Sequence, residues 1–359
     1  MPNSPTSVRR GWLALGVLLP LLLAGCSGGS DGPRQDLGPA AELRLGFFAN
    51  VTHAAALVAV QEDLFTKRLG DTKLTTQVFN AGPAAIEAIF GGAIDASYIG
   101  PNPAINAYVQ SHGEAIRIIA GATSGGAALV VRSEINSAED LRGKTVATPQ
   151  LGNTQDVALR AWLADHGLKT SKTGSGDVTI QAGTENATTL QLFQAGQIDG
   201  AWLPEPWVTR LVQEAGAKVL VDEKGLWPQG RFVTTHLIVA TRFLEEHPQT
   251  VRALLQAHVD AIQWIGTHSD QAKADVNAQI GELTGKPLPQ PVLDGAWQNI
   301  EPTFDPVASS LASSAEHAVA ADLIDEPDLK GIYELGPLNE ILRERGLETV
   351  SDGGLGTGE

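Results

Sequence analysis

A single cysteine, Cys26, stands among the 359 residues of the chain. No intrachain disulfide can form, and a cysteine-based metal cluster is excluded with it. The roughly 330 residues left after an export signal are ample for cores in two lobes, and burial alone must hold them. Basic charge is also scarce. Lys and Arg number 25 against 41 Asp and Glu, for a formal net charge of −16. Such a surface is repelled by nucleic acid and by anionic lipid headgroups, so neither is expected as a partner. Net charge describes the surface, not the pocket, and leaves the sign of a ligand open.

Enzyme signatures are missing too. The eight histidines include no H-E-x-x-H and no spacing with carboxylates that a metal site needs. Gly121-Ala-Thr-Ser124-Gly125 lacks the spacing of a nucleophile elbow. Gly174 and Gly176 match no dinucleotide fingerprint, because no strand leads directly into them. No catalytic residue, metal or cofactor is assigned. A long apolar run is absent as well, since the uncharged stretch from Trp12 to Ala24 is too short to span a bilayer. With Arg9-Arg10 before it and Leu23-Ala24-Gly25-Cys26 at its end, it reads as an export signal over residues 1–25. Removing that segment takes the charge from −16 to −18, because it holds two basic residues and no acidic one. The paired arginines leave Sec and twin-arginine export both open. A Ser/Gly-rich tract, Ser27 to Pro33, begins a flexible tether over 26–41.

What the sequence does have is a segment written twice, 104 positions apart. The first copy runs Ile86-Glu-Ala-Ile-Phe-Gly-Gly-Ala-Ile-Asp95-Ala-Ser-Tyr98-Ile-Gly-Pro101-Asn102-Pro103. The second runs Leu190-Gln-Leu-Phe-Gln-Ala-Gly-Gln-Ile-Asp199-Gly-Ala-Trp202-Leu-Pro204-Glu205-Pro206-Trp207. Gly92 falls on Gly196, Ile94 on Ile198, Asp95 on Asp199 and Tyr98 on Trp202. Each copy reads helix, turn, strand and proline-bracketed loop, which predicts two similar lobes with a ligand loop at the carboxyl end of a strand in each. Asp95 and Asp199, between turn and strand, suit local backbone hydrogen bonds.

Around the copies the pattern is β-α-β-α-β. In the first half the strands are Glu42 to Phe48, Lys73 to Phe79 and Arg117 to Ala120, with a helix over Ala54 to Leu69 and Pro83 at a helix start. In the second, strand Gly143 to Thr148, helix Gln155 to His166, strand Val178 to Gln181 and strand Lys218 to Val221 repeat the rhythm. Both halves are expected to be helix-covered, largely parallel sheets. The apolar runs Ala127 to Arg132 and Thr235 to Ala240 read as paired crossover strands. The first lobe is then discontinuous, 42–126 plus 237–350, around a second lobe over 127–236. From Thr241 onward the pattern is helical with no further strand. Lys169 to Asp177 reads as a mobile surface loop, and 351–359 as a disordered tail.

Binding features collect in the loops. Pro149 to Asp156 follows a strand and opens a helix, so its N–H groups, with Asn153 and Thr154, form either a neutral anion site or a plain N-cap. Phe48 to His53 occupies the equivalent place in the other half. Ser124-Gly125-Gly126 is small enough to let a ligand approach the backbone, or is only a turn. Trp202-Leu-Pro-Glu205-Pro-Trp207 offers two aromatic walls and one carboxylate on a proline-stiffened loop, unless the tryptophans merely pack.

The lipobox-like Leu23 to Cys26, Phe47-Phe48 with Asn50 and His53, Ala81-Gly82-Pro83, Gly-x-Ile-Asp in both copies and Gly100-Pro-Asn-Pro103 form an ordered set. Asp140-Leu-x-Gly-Lys144, Gly152-Asn-Thr-Gln155 and Glu205-Pro-Trp207 complete it. Together, over about 42–265, they resemble the nitrate/sulfonate/taurine class of ABC-importer substrate-binding proteins. The resemblance implies an α/β, two-lobed periplasmic-binding-protein fold of type II, with two crossover strands and C-terminal helices. It implies a monomer without enzyme activity that closes on a small ligand and presents it to a membrane permease. Cys26 would be lipidated, anchoring the chain on the extracytoplasmic face of the cell membrane, in the periplasm of a Gram-negative cell.

Carried over by position, the ligand residues are Phe48, Asn50 and His53; Gly82 and Pro83; Pro101 and Asn102; Ser124, Gly125 and Gly126; Gly152, Asn153, Thr154 and Gln155; and Trp202, Glu205 and Trp207. Their loops contain no Lys or Arg. A sulfonate would be held by helix N-termini and hydroxyls. A cleft-facing Glu205 would favour an amine-bearing sulfonate, and a flat heteroaromatic ligand between Trp202 and Phe48 competes. A pyrimidine-precursor binding protein or enzyme of the thiamine pathway, and a sensor docking on a membrane kinase, remain the alternatives.

Overall fold

The computed structural model describes residues 35–357. The export signal, Cys26 and most of the expected tether lie outside the described residues. The first half runs β1 (Glu42–Phe47), α1 (Ala54–Gln61), α2 (Leu64–Leu69), β2 (Lys73–Val78), α3 (Gly82–Phe90), β3 (Ala96–Ile99), α4 (Pro101–Gln110) and β4 (Ile116–Gly125). The second runs β5 (Ala127–Val131), β6 (Thr145–Thr148), α5 (Thr154–Asp165), β7 (Thr179–Ala182), α6 (Asn186–Gln194), β8 (Gly200–Pro204), α7 (Trp207–Ala215) and β9 (Lys218–Asp222). The chain then returns through β10 (Val233–Ala240) to α8 (Thr241–Glu246), α9 (Pro248–Thr267), α10 (Ser269–Thr284) and α11 (Gln290–Asn299). It ends with β11 (Ile300–Pro302), α12 (Ala308–Ala320) and α13 (Gly336–Glu344).

Two sheets result, ordered β2-β1-β3-β10-β4-β11 and β7-β6-β8-β5-β9. Five strands of the first match the second in order, and β11 has no counterpart. β1 is parallel to β2 and β3, as β6 is to β7 and β8. β10 is antiparallel to β3 and β4, as β5 is to β8 and β9. Short βα connections between parallel strands place helices on both faces, so β3, β5 and β8 are buried along their whole length.

The doubled segment is one structural unit used twice. Asp95 N–H donates to the Arg44 carbonyl at 2.8 Å, and its Oδ2 accepts from Arg44 N–H at 2.8 Å. Asp199 does the same with Thr145, at 2.8 and 2.9 Å. Each aspartate therefore staples the start of one strand, β3 or β8, to the parallel strand beside it, β1 or β6. The backbone bonding expected of these aspartates is not local: its partners lie 51 and 54 positions away, on a neighbouring strand.

The runs expected to pair as crossover strands lie in different sheets, because each fills the antiparallel slot beside the third strand of its own sheet. The crossings themselves are short. Between β4 and β5 stands Gly126 alone, and Gly125 and Gly126 both take left-handed backbone, φ 74° and 75°. Side chains would be strained there, and a Cβ on Gly126 would meet Ile300 at 2.6 Å. The return crossing, 223–232, carries Glu223, whose Oε2 accepts the Trp202 indole N–H at 2.7 Å. Glu223 is buried, and desolvation pushes its carboxyl up to about 7.

Three sequence expectations are corrected. The C-terminal region is not purely helical, since β11 pairs with β4. Residues 351–357 are not a loose tail: Gly331 and Tyr333 N–H groups both donate to the Leu355 carbonyl, and Thr357 N–H donates to the Tyr333 carbonyl. Lys169 to Asp177 is a closed turn, with Ser171 N–H on the Ser175 carbonyl at 2.7 Å and the Arg160 guanidinium on the Ser171 carbonyl at 2.7 Å. In the last two cases polar, glycine-rich sequence is held by backbone pairing that hydrophobic pattern does not register, and β11 is a strand of three residues, too short for a pattern.

Candidate functional site

The loops at the carboxyl ends of β1, β2 and β3 meet those of β6, β7 and β8. Two side-chain hydrogen bonds span the junction: Trp207 Nε1 donates to Asn50 Oδ1 at 2.9 Å, and Asn80 Nδ2 donates to Glu185 Oε1 at 3.0 Å. A third approach is steric. Gly100 ends β3, and a Cβ there would collide with the Thr154 hydroxyl at the start of α5. The absence of a side chain at Gly100 is what lets the two halves touch at this point.

On the first half, the Phe48–His53 loop organises itself. Phe48 N–H donates to His53 Nδ1 at 3.3 Å, and the two rings stack with centroids 4.5 Å apart. Burial drives the His53 pKa down to about 3, so the imidazole is neutral. Asn50 is the loop residue that reaches across to the other half. Gly82 and Pro83 open α3, Pro101 and Asn102 open α4, and neither helix has a side-chain cap among the described residues. The Asn102 carboxamide does not face the junction. Its Nδ2 donates to the Ser314 carbonyl at 3.0 Å, because α12 packs across α4 and α5.

On the second half, α5 begins with the N-cap that was one of the two readings of its sequence. Asn153 is the N-cap, its Oδ1 accepting Gln155 N–H at 3.2 Å. Asp156 reaches back from the first turn: Oδ1 accepts the Thr148 hydroxyl at 3.0 Å, and Oδ2 accepts Gly152 N–H at 3.0 Å and Arg160 Nε at 2.9 Å. A buried ion pair with its lone pairs satisfied in this way fixes the Gly152–Gln155 loop. Thr154 Oγ1 is buried beside Gly100 and has no hydrogen-bond partner among the described residues.

Ser124 lies within β4 and is buried, and Gly125 and Gly126 serve the crossing. Two further expectations are overturned in the second repeat tip. Trp202 does not wall a ligand site: it is fully buried against Leu129, Val131 and Trp162 in the core between the second sheet and α5. With both faces of that sheet covered, the alternation of β8 sends Ala201 and Leu203 to one core and Trp202 to the other. Glu205 is not a free acceptor either. Its carboxylate takes Thr209 N–H at 3.1 Å, Thr209 Oγ1 at 2.9 Å and Asn299 Nδ2 at 2.6 Å, so it caps α7 and ties it to the end of α11. Burial raises its pKa, opposed by the Asn299 and Thr209 hydrogen bonds.

A cavity of about 420 Å³ opens beside the two spanning hydrogen bonds. It is bounded by Asn50, Phe79 and Asn80 of the first half, by Glu185, Asn186, Trp207 and Arg210 of the second, and by the α10–α11 turn. The Arg210 guanidinium lies 4.8 Å from the Trp207 ring centroid and pairs with Glu214. Sequence reasoning missed Asn80, Glu185, Asn186 and Arg210. The repeat offset itself could have found two of them, since Ala81 and Gly82 displaced by 104 land on Glu185 and Asn186.

The starts of α3 and α4 carry no side-chain cap among the described residues, and the Thr154 hydroxyl lies against Gly100 before α4; with Pro83, Pro101 and Pro103 lacking N–H groups, the donors of those first turns are Gly82, Ala84 and Asn102. That arrangement suits a small anion. Among the described residues, no group of three His, Cys, Asp or Glu side chains is placed to hold a metal ion.

Comparison with known proteins gives the family and the fold. The profile of the NMT1-like family matches residues 36–281. The taurine-binding periplasmic protein of Escherichia coli (strain K12) is 29% identical over 234 residues, 65% of this chain and 70% of that protein. A putative aliphatic sulfonates-binding protein of Bacillus subtilis (strain 168) is 27% identical over 363 residues, 97% of this chain and 99% of its own length. Among solved structures, the alkanesulfonate-binding protein of Xanthomonas axonopodis pv. citri bound to MOPS superposes with a TM-score of 0.65 at 23% identity, covering 79% of this chain and 94% of that one. The fold is that of periplasmic binding proteins.

Proposed function

The chain belongs to the NMT1-like family, and from that premise we propose that it is an extracytoplasmic solute-binding protein of an ABC importer. It holds a small organic sulfonate or related oxoanion between two lobes, 42–126 with 237–350 and 127–236, and hands it to a membrane permease. It acts as a monomer without catalysis of its own, tethered to the membrane through lipidated Cys26; loss of membrane association in Cys26→Ser would test the tether. The names carried by its relatives support sulfonates as the solute class.

The observation that carries the reading is the junction of Gly100 and Thr154. Helix starts from both halves converge there on a buried hydroxyl that lacks a partner among the described residues. A buried polar group left unpaired costs about 1–3 kcal/mol, and an anion accepting from that hydroxyl would remove the penalty. Glu205 is already engaged by Thr209 and Asn299, so nothing in its geometry calls for an amine on the ligand.

Thermal unfolding with taurine, short alkanesulfonates and nitrate tests the proposal. A ligand at 100 times its Kd adds about 2.7 kcal/mol to stability. Thr154→Val should fold normally and weaken the best ligand at least tenfold, measured by titration calorimetry. No shift from any of these solutes at millimolar concentration would overturn the reading.

A further inference from the structure

Two stretches of backbone join the two sheets, and they lie side by side. Gly125 N–H donates to the Phe232 carbonyl at 3.4 Å, the Thr234 hydroxyl donates to the Gly125 carbonyl, and the Lys224 side chain lies over Gly125. Rotation of one half against the other has to turn residues here. The return crossing begins at Glu223, which is only 1% exposed and holds the indole of Trp202, a core residue of the second half. Four residues on, the Trp227 ring stacks on Phe232 and lies 5.8 Å from the His317 ring of α12. Its indole faces the same carboxyl without reaching hydrogen-bond geometry, so Trp227 Nε1 is buried with no partner among the described residues. The crossing is thus seated by one carboxyl between two indoles, of which one is bonded.

Few charges surround that carboxyl. β5 and β8, packed beside it, carry none. On β9, Asp222 opposes its ionisation and Lys218 is taken by Asn136. On α5, behind Trp202, Asp156 pairs with Arg160, Asp165 is exposed and His166 bonds the Trp162 carbonyl. Along the crossing itself, Lys224 is turned to Gly125 and Arg231 pairs with Asp305. No cation among the described residues forms an ion pair with Glu223, so its negative form is poorly supported where it stands.

We propose that Glu223 is a pH-sensitive pin of the hinge: neutral, it seats the return crossing on the second half, and ionised, it loosens the crossing and the hold of the two halves on each other. Burial pushes the seated carboxyl up from 4.5 to about 7. Loosening admits water, returns the carboxyl toward its ordinary range and so releases a proton. The loosened arrangement therefore gains as pH rises from 4.5 to about 7, and levels off above. This device goes beyond the sulfonate reading and does not require it.

Hydrogen exchange read by mass spectrometry at pH 5, 6.5 and 8, divided by intrinsic rates, tests it without a ligand. Opening of residues 223–232, relative to that of β3, should grow at least tenfold from pH 5 to 8 in the wild type. In Glu223→Gln, which keeps an acceptor for the Trp202 indole and cannot ionise, it should change less than twofold. Small-angle scattering should show the wild type alone expanding over the same range. A rise shared equally by β3 means global destabilisation and overturns the pin, as does the same pH dependence in both proteins. A radius of gyration that stays constant while the crossing opens overturns its coupling to the two halves. Neither readout uses a sulfonate, so the pin and the sulfonate reading fail separately.

Discussion

The two copies of the repeated segment agree in their scaffold and part company at their tips. Asp95 ties β3 to β1 and Asp199 ties β8 to β6 with the same pair of backbone contacts, and Tyr98 and Trp202 are both fully buried with their polar tips satisfied. The Tyr98 hydroxyl bonds His258 Nδ1 at 2.9 Å, whose Nε2–H donates to the Gly121 carbonyl, while the Trp202 indole bonds Glu223. Beyond these residues, the first copy opens α4 with no side-chain cap among the described residues, and the second fills the start of α7 with its own Glu205 carboxylate. A duplicated fold thus arrives with two equivalent helix starts, and one has been occupied from within. The two helix starts, equivalent in the repeat, are therefore not equivalent in charge, because a carboxylate already stands at the second.

The sharpest way to break this comparison is at the paired aromatics. Trp202→Ala empties a packed core and should cost about 3–5 kcal/mol in urea unfolding. Tyr98→Phe removes only a hydroxyl and strands His258, for about 1–2 kcal/mol. Similar costs for the two would mean that Trp202 is less well packed than its burial implies.

The partners of those aromatics predict a pH difference. The Glu223 carboxyl, raised by burial from 4.5 to about 7, stays protonated in the native state where the unfolded chain has already lost its proton. Below that window both states hold the proton and the penalty is absent. Stability is therefore lost as pH rises from 4.5 to about 7, by about 3 kcal/mol. His53, His236 and His258, with pKa values lowered by burial, act oppositely by destabilising the native state as pH falls below 6.5. The difference between wild type and Glu223→Gln isolates the first effect, and a flat difference curve over that window would refute it. The smallest contrast lies at the aspartates. Asp95→Asn also breaks a two-pronged pair with Arg44 and should cost about 1–2 kcal/mol, whereas Asp199, 3.9 Å from Lys144, should cost under about 1. Equal melting temperatures for the two variants would erase the distinction.

The repeat, the parallel sheets and the placing of loops after strands were legible because they rest on local periodicity and on one conserved offset. The roles of Trp202, Asn102 and Glu205 were not. Trp202 stands in a strand covered on both faces, where apolar pattern does not say which side it joins. Asn102 is claimed by Ser314 and Glu205 by Asn299, partners 212 and 94 positions away. A side chain at a loop tip looks free until the element that packs on it is placed.

The position of β10 carries a consequence for how the molecule assembles. The second sheet is built from one contiguous stretch, β5 to β9, and can close as soon as that stretch is available. The first sheet cannot. Its fourth strand, β10, stands between β3 and β4 yet follows them by more than a hundred positions, so residues 42–125 must wait with an open slot in the middle of their sheet. Closing that slot requires a long loop to be paid in entropy before any contact rewards it, a cost relieved once the second sheet has drawn the loop's ends together. The half that is written first is thus complete only when a strand written after the whole second sheet is in place.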